Sequence, residues 1–246
     1  MSVNLTHHCT ETNFHSGESV GKIQPEYLTF KDVYVVGDES KNKGVVVILT
    51  DIFGNKYNNN QLVADAFAKA GYYALIPDLF DGDAVELENY GKPGYFDTWK
   101  KNHGFNVTSP YVKDFLKKID SELKPTKIFS VGHCYGGKLV IQNLTKDGLL
   151  AAGAVAHTSG TELSEVKEII NPIIFSCAEN DPAFTDELRT QSQQILKENK
   201  IKYQFDLFSG VAHGYAVRGD PNNPDDKYAS EKTLKDQIAW FDRFSS

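Results

Sequence analysis

The segment Gly132-His-Cys-Tyr-Gly-Gly137 is where residue types and spacing point most directly to chemistry. It reads Gly-x-Cys-x-Gly, directly after Lys127-Ile-Phe-Ser-Val131, which reads as a buried strand, and directly before a stretch that predicts a helix over about 135–147. That is the nucleophile-elbow pattern with Cys in place of Ser. Glycines two residues either side of the nucleophile let strand and helix approach closely around a strained turn. The turn lifts the Cys134 side chain to the carboxyl end of a sheet, where open α/β folds bind ligands. It also places the thiol at a helix N-terminus, where the macrodipole and unpaired N–H groups favour the thiolate.

A thiol nucleophile needs a base and a group to orient it, and in this kind of fold they follow in the order nucleophile, acid, histidine. Asp181 lies just past Pro172-Ile-Ile-Phe-Ser-Cys177, which reads as a buried strand, and His213 just past the alternating run from Tyr203 to Phe208. In these roles His213 takes the thiol proton and returns it to the leaving group, and Asp181 holds the imidazole tautomer. Acyl transfer also needs donors for an oxyanion. The Tyr135 backbone N–H is one candidate, and the Ile52 N–H in the loop Asp51-Ile-Phe-Gly54 is the other.

The elements that position these residues alternate along the chain. Val45–Leu49 is a short β-branched run that fits a strand buried on both faces. Leu62, Val63, Ala66, Phe67 and Ala70 follow at helical spacing, closed by Gly71, and the next strand is Tyr73–Ile76. Residues 78 to about 109 break into glycine, acidic and aromatic residues and read as a long, functional loop. In it Tyr95, Phe96 and Trp99 could wall a pocket. Val112, Phe115, Leu116, Ile119 and Leu123 restore helical spacing. Further on, 151–156 reads as a strand, 185–199 as a helix, and Leu234, Ile238 and Phe241 mark a closing helix. This alternation predicts an α/β fold: one domain over 1–246, with a mostly parallel sheet covered by helices on both faces. Residues 1–30 read as a polar tail or outer loop with at most one edge strand.

Composition narrows the function classes. The 246 residues carry 26 Lys plus Arg against 33 Asp plus Glu, a net charge of −7. With three arginines and no basic cluster, nothing offers a footprint for a phosphate backbone, so no nucleic-acid partner is expected. No apolar run approaches the roughly 20 residues that cross a bilayer. The sequence begins without a basic or apolar leader, so a cytoplasmic location is the expectation. Three separated cysteines, Cys9, Cys134 and Cys177, suggest reduced thiols, with Cys177 an inert core residue. His7, His8, Cys9 and His15 lack the paired spacing of a zinc site, and no metal is expected there. His157, at a strand end, and His103, in the aromatic loop, could line a pocket.

The chain resembles the dienelactone hydrolase (carboxymethylenebutenolidase) family of α/β hydrolases, in a form similar to its fungal-type members, over roughly residues 20–244. The resemblance rests on Asp51-Ile-Phe-Gly54, Pro77-Asp-Leu-Phe80, Gly132-His-Cys-Tyr-Gly-Gly137, Asp181 and His213-Gly-Tyr-Ala. It implies an α/β-hydrolase fold and a cysteine hydrolase of small lactones or esters, working without metal or cofactor. The family's bacterial pattern has Glu before Ile-Phe-Gly, where it hydrogen-bonds the resting thiol; this chain has Asp51, one methylene shorter. The pattern also has an arginine shortly after the Pro-Asp-Leu-aromatic stretch, where this chain has Asp81-Gly82-Asp83, which argues against an identical substrate. Arg218 falls one residue from a second family arginine and stands as a carboxylate clamp, because a planar fork suits a carboxylate.

The expected function is hydrolysis of a small ester, lactone or thioester through an acyl-cysteine. The rival reading is a small-molecule binder or thiol redox sensor on the same fold that uses Cys134 without turnover. Sensing does not require an acid and a base beside the thiol, and that favours the enzyme.

Overall fold

The computed structural model describes residues 15–245. The chain begins with two strands, β1 (Lys22–Tyr27) and β2 (Phe30–Val36). They are joined by a two-residue turn in which Leu28 and Thr29 both take positive φ, 52° and 72°. Then come β3 (Val45–Leu49), α1 (Asn58–Lys69), β4 (Tyr73–Ile76), α2 (Tyr95–Asn102) and α3 (Phe105–Lys118), which runs into a π-helical turn over Ile119–Leu123. The second half is β5 (Ile128–His133), α4 (Tyr135–Gln142), β6 (Leu150–Ala156), α5 (Leu163–Lys167), β7 (Ile173–Asn180), α6 (Asp186–Glu198), β8 (Tyr203–Ala212), α7 (Tyr215–Arg218) and α8 (Pro224–Asp242).

All eight strands form one sheet in the order β1-β2-β4-β3-β5-β6-β7-β8. β2 pairs antiparallel with β1 and with β4, and the remaining pairings are parallel. Parallel strands buried on both faces explain the continuous apolar runs. Along β3 the side chains alternate: Val45, Val47 and Leu49 join the core under α3 and α4, and Val46 and Ile48 the core under α1 and α8. From β3 the chain moves to β4 on one side; from β5 onward it winds to the other. The order therefore reverses between β3 and β5, and the carboxyl ends of these two strands flank the crevice where such sheets bind ligands.

The expected alternation of strands and helices is present, with three differences. β2 was not expected: its hairpin turn is built from Leu28 and Thr29 rather than from the Asn-Gly type of pair that favours positive φ. The region 78–109 is not all loop. Tyr95–Asn102 is helical, with Phe96 stacked on Trp99 one turn away at 5.7 Å, and α3 begins at Phe105 and carries Pro110 inside it. α5 and α7 have five and four residues, too short to show a period. Among the described residues no helix is long and apolar enough to cross a membrane. His7, His8 and Cys9 lie outside the described residues.

Candidate active site

β5 ends on His133, and α4 begins at Tyr135. Cys134 between them takes φ 50° and ψ −109°, a conformation that costs a non-glycine residue about 1–3 kcal/mol. The surroundings hold it there. Cys134 N donates to Ala156 O at 3.1 Å, Gly136 N to Thr50 O at 3.0 Å, and Gly137 N to Cys134 O at 3.1 Å. The flanking glycines serve close approach: a Cβ on Gly136 would stand 1.9 Å from Leu49 O, and one on Gly132 2.5 Å from Gly136 O. The elbow is therefore packed directly onto the carboxyl end of β3.

Three expected residues converge at this point. His213 Nε2 lies 3.1 Å from Cys134 Sγ. On the other side of the ring, His213 Nδ1 lies 2.9 Å from both carboxylate oxygens of Asp181. A ring nitrogen facing a carboxylate carries the hydrogen, so Nδ1 donates to Asp181. Asp181 is itself fixed, because Oδ1 also accepts from Ala183 N at 2.8 Å and Phe184 N at 3.1 Å. His213 N donates to Asn180 O, tying the histidine loop to the end of β7.

Electrostatics favour charge separation between sulfur and ring. Burial opposes a charged sulfur, but the adjacent His213 and its hydrogen bond, helped by Arg218, hold the Cys134 thiol below its ordinary value. Burial likewise opposes a charged ring, yet the sulfur and Asp181 together raise His213 above the ordinary histidine range. Both directions describe a thiolate beside an imidazolium. Cys177 shows the opposite case, since burial without such partners pushes its thiol up to about 12.

Asp51 and Arg218 are both buried and pair with each other: Arg218 Nη1 donates to Asp51 Oδ2 at 2.5 Å. Asp51 Oδ1 accepts from Phe53 N at 3.2 Å and Asn60 Nδ2 at 3.3 Å. The structure thus seats the carboxylate on Arg218 rather than on the thiol, because the aspartate side chain is already held from three sides. The Arg218 guanidinium also lies 5.2 Å from the Phe53 ring centroid. The Tyr135 N–H opens α4, where it has no acceptor within the helix, and Ile52 sits in the loop after β3, its carbonyl accepting from Val85 N at 2.8 Å.

Of the aromatic residues of 90–105, Trp99 and Phe105 pack against Tyr135, and Phe96 stacks on Trp99. Phe105 stacks on the Tyr135 ring at 4.3 Å, and the Tyr135 hydroxyl donates to His103 O at 2.7 Å. His103 pairs with Asp83 at 2.7 Å and packs on Trp99. Asp81 pairs with Lys31 at the surface.

Two further neighbours lie past the end of β6: His157, read from sequence as a residue that could line a pocket, and Ser159, which was given no role. His157 is buried with its ring centroid 5.1 Å from that of His213, and burial, reinforced by that neighbouring ring, keeps it neutral. Ser159 Oγ lies 3.6 Å from Cys134 Sγ. The signal that could have found Ser159 is its place just past the end of β6, the same sheet edge as Cys134. Among the described residues no group of three or more His, Cys, Asp or Glu side chains could hold a metal ion.

The family model described as "Dienelactone hydrolase family" matches residues 31–245. The chain is 37% identical to "Hydrolase tropI" of Talaromyces stipitatus, covering 96% of this chain and 95% of that protein. It is 32% identical to "Dienlactone hydrolase 1" of Gibberella moniliformis, covering 95% and 92%. Among solved structures it is similar to a putative dienelactone hydrolase from Klebsiella pneumoniae, with TM-score 0.73 at 14% identity over 91% of this chain and 98% of that one. The chain belongs to the dienelactone hydrolase family, α/β-hydrolase-fold enzymes that act on ester and lactone bonds.

Proposed function

We propose that the protein hydrolyses small lactones, esters or thioesters with Cys134 as nucleophile, His213 as general base and acid, and Asp181 as the group that orients the histidine. The observation that carries this reading is the continuous chain of contacts from Cys134 Sγ through the His213 ring to the Asp181 carboxylate, at 3.1 and 2.9 Å. The thiolate attacks the carbonyl carbon, and the carbonyl electron pair moves to oxygen. The Ile52 and Tyr135 N–H groups then receive the oxyanion. As the tetrahedral species collapses, the C–O bond breaks and the leaving oxygen takes the proton from His213 Nε2. In a lactone the ring opens and the product stays attached through the acyl group. Water then attacks the acyl-cysteine while His213 takes its proton, and the acid leaves as the thiolate returns.

Arg218 supplies the positive charge next to the sulfur and is the carboxylate-binding group of this site. In the resting enzyme Asp51 occupies that guanidinium, so an anionic substrate displaces or shares the contact. The family, and the name of the Gibberella moniliformis relative, support a lactone substrate for this chain. An intact base and acid beside the thiol support turnover over a binding or sensing role.

The experiment is hydrolysis of short aryl esters by the wild type and by Cys134→Ala. The reading expects loss of turnover in the variant with the fold retained; unchanged turnover would remove Cys134 from the role.

A further inference from the structure

We propose that Ser159 is a further catalytic residue, its hydroxyl donating a hydrogen bond to the Cys134 sulfur when that sulfur is a thiolate. The inference rests on Cys134 being the reactive thiol of the proposed hydrolase. Ser159 Oγ is 3.6 Å from Sγ, within reach of a hydrogen bond to the large sulfur atom. A neutral thiol could give or take this bond. A thiolate has only lone pairs, so with the charged form the hydroxyl must donate, and a hydrogen bond to the ionised form favours ionisation.

The position of Ser159 is built rather than incidental. Its own N–H donates to Cys134 O at 2.9 Å, which joins the β6–α5 loop to the elbow main chain to main chain. Next to it, Thr158 and Thr161 hydroxyls meet at 2.9 Å. On the far side, Lys138 Nζ donates to Gly160 O at 2.8 Å and to Glu162 at 2.9 Å, and pairs with Glu165 at 3.1 Å. Lys138 belongs to α4, the helix that the elbow opens. The helix that starts at the nucleophile thus also clamps the loop that presents Ser159 to it.

The charged groups facing the sulfur come from three other elements: His213 from the turn after β8, Arg218 from α7 and Asp51 from the loop after β3. The nearby rings of His157 and His133 are kept neutral by burial. Ser159 adds a neutral donor from a fourth element. Acylation turns the sulfur into a thioester, a weak acceptor, so the bond acts on the resting thiolate and lapses once the acyl-enzyme forms. A thiolate stabilised in this way is also a slightly weaker nucleophile. The gain therefore appears on the acid side of the thiol titration and vanishes above it.

The test is the rate of Cys134 alkylation by iodoacetamide as a function of pH, with the modified peptide identified by mass. In this reaction the sulfur lone pair forms the S–C bond and iodide leaves, so it reports the thiolate without ester turnover. Ser159→Ala is expected to move the acid limb about one pH unit upward, about a tenfold slower reaction there, with no loss on the alkaline plateau. Ser159→Thr keeps the hydroxyl and is expected to restore the wild-type limb. A Ser159→Ala profile that superimposes on wild type overturns the proposal. So does a Ser159→Thr profile shifted as far as that of Ser159→Ala, because the effect would then be steric. If the wild type turns over no ester yet the shift in Ser159→Ala persists, the hydrolase reading fails and the hydrogen bond stands.

Discussion

Arg218 Nη1 and Asp51 Oδ2 meet at 2.5 Å although 167 residues separate them in the chain. The pair links the loop after β3 to α7, and both charges act on the Cys134 sulfur. Removing one partner of a buried pair leaves the other uncompensated, at a cost of about 3–5 kcal/mol. Asp51→Ala is therefore expected to lower Tm by about 6–20 °C, using about 2–4 °C per kcal/mol for a chain of this size. Calorimetry checks this, and a change within a degree or two would mean that the pair is open to water. Replacing both residues with apolar side chains of similar volume should recover much of the loss.

The same arginine gives a kinetic prediction. Arg218→Lys keeps the charge but loses the planar fork that fits a carboxylate. Its kcat/KM is expected to fall about tenfold for esters bearing a carboxylate and little for neutral esters, since a hydrogen bond to a charged group contributes about 1.5–3 kcal/mol. Equal losses on both substrate classes would show that Arg218 does not read the carboxylate.

Rate against pH should follow the sulfur–imidazole pair. Burial opposes both charges, but the mutual attraction lowers the thiol and, with Asp181, raises His213 to about 10. Activity is expected to rise with pH along an acid limb below the ordinary thiol range, as the thiolate forms. It then falls toward pH 10, where His213 loses the proton that the leaving group needs. Thiolate absorbance near 240 nm follows the first step directly. A thiol that titrates at or above its ordinary value would contradict the ion pair.

Backbone contact at the elbow leaves no room for a side chain. Gly136→Ala would place a Cβ 1.9 Å from Leu49 O, a main-chain atom that cannot rotate away. The expected result is a loss of several kcal/mol or failure to accumulate folded protein, read by denaturant titration. Near-wild-type stability would mean that the β3–α4 contact is looser than described.

The parallel part of the sheet was legible in the sequence because strands buried on both faces are mostly apolar along their length, as Val45–Leu49 and Ile173–Phe175 are. The placement of Cys134, Asp181 and His213 was legible for a related reason: each follows a strand of the parallel part of the sheet, so each falls at the same edge. Side-chain partnerships across the chain were not. Nothing local in Asp51 or Arg218 announces that they meet, and Ser159 is a small polar residue in a loop whose approach to Cys134 depends on β5 and β6 lying side by side. β2 was hidden by its turn, and α2 by Gly91, Pro93 and Gly94 before it, while its aromatic residues pack at helical spacing.

The central claim is that Cys134 carries the acyl group, and the most direct measurement is a burst experiment. Protein is mixed with p-nitrophenyl acetate, release of nitrophenolate is followed in the first turnover, and intact and peptide mass spectra locate the acetyl group. The account predicts a burst of one equivalent, an acetyl group on the Cys134 peptide, and its disappearance as steady turnover proceeds. Turnover with no acyl group on Cys134, or an acetyl group that forms there and is never cleared, would contradict it.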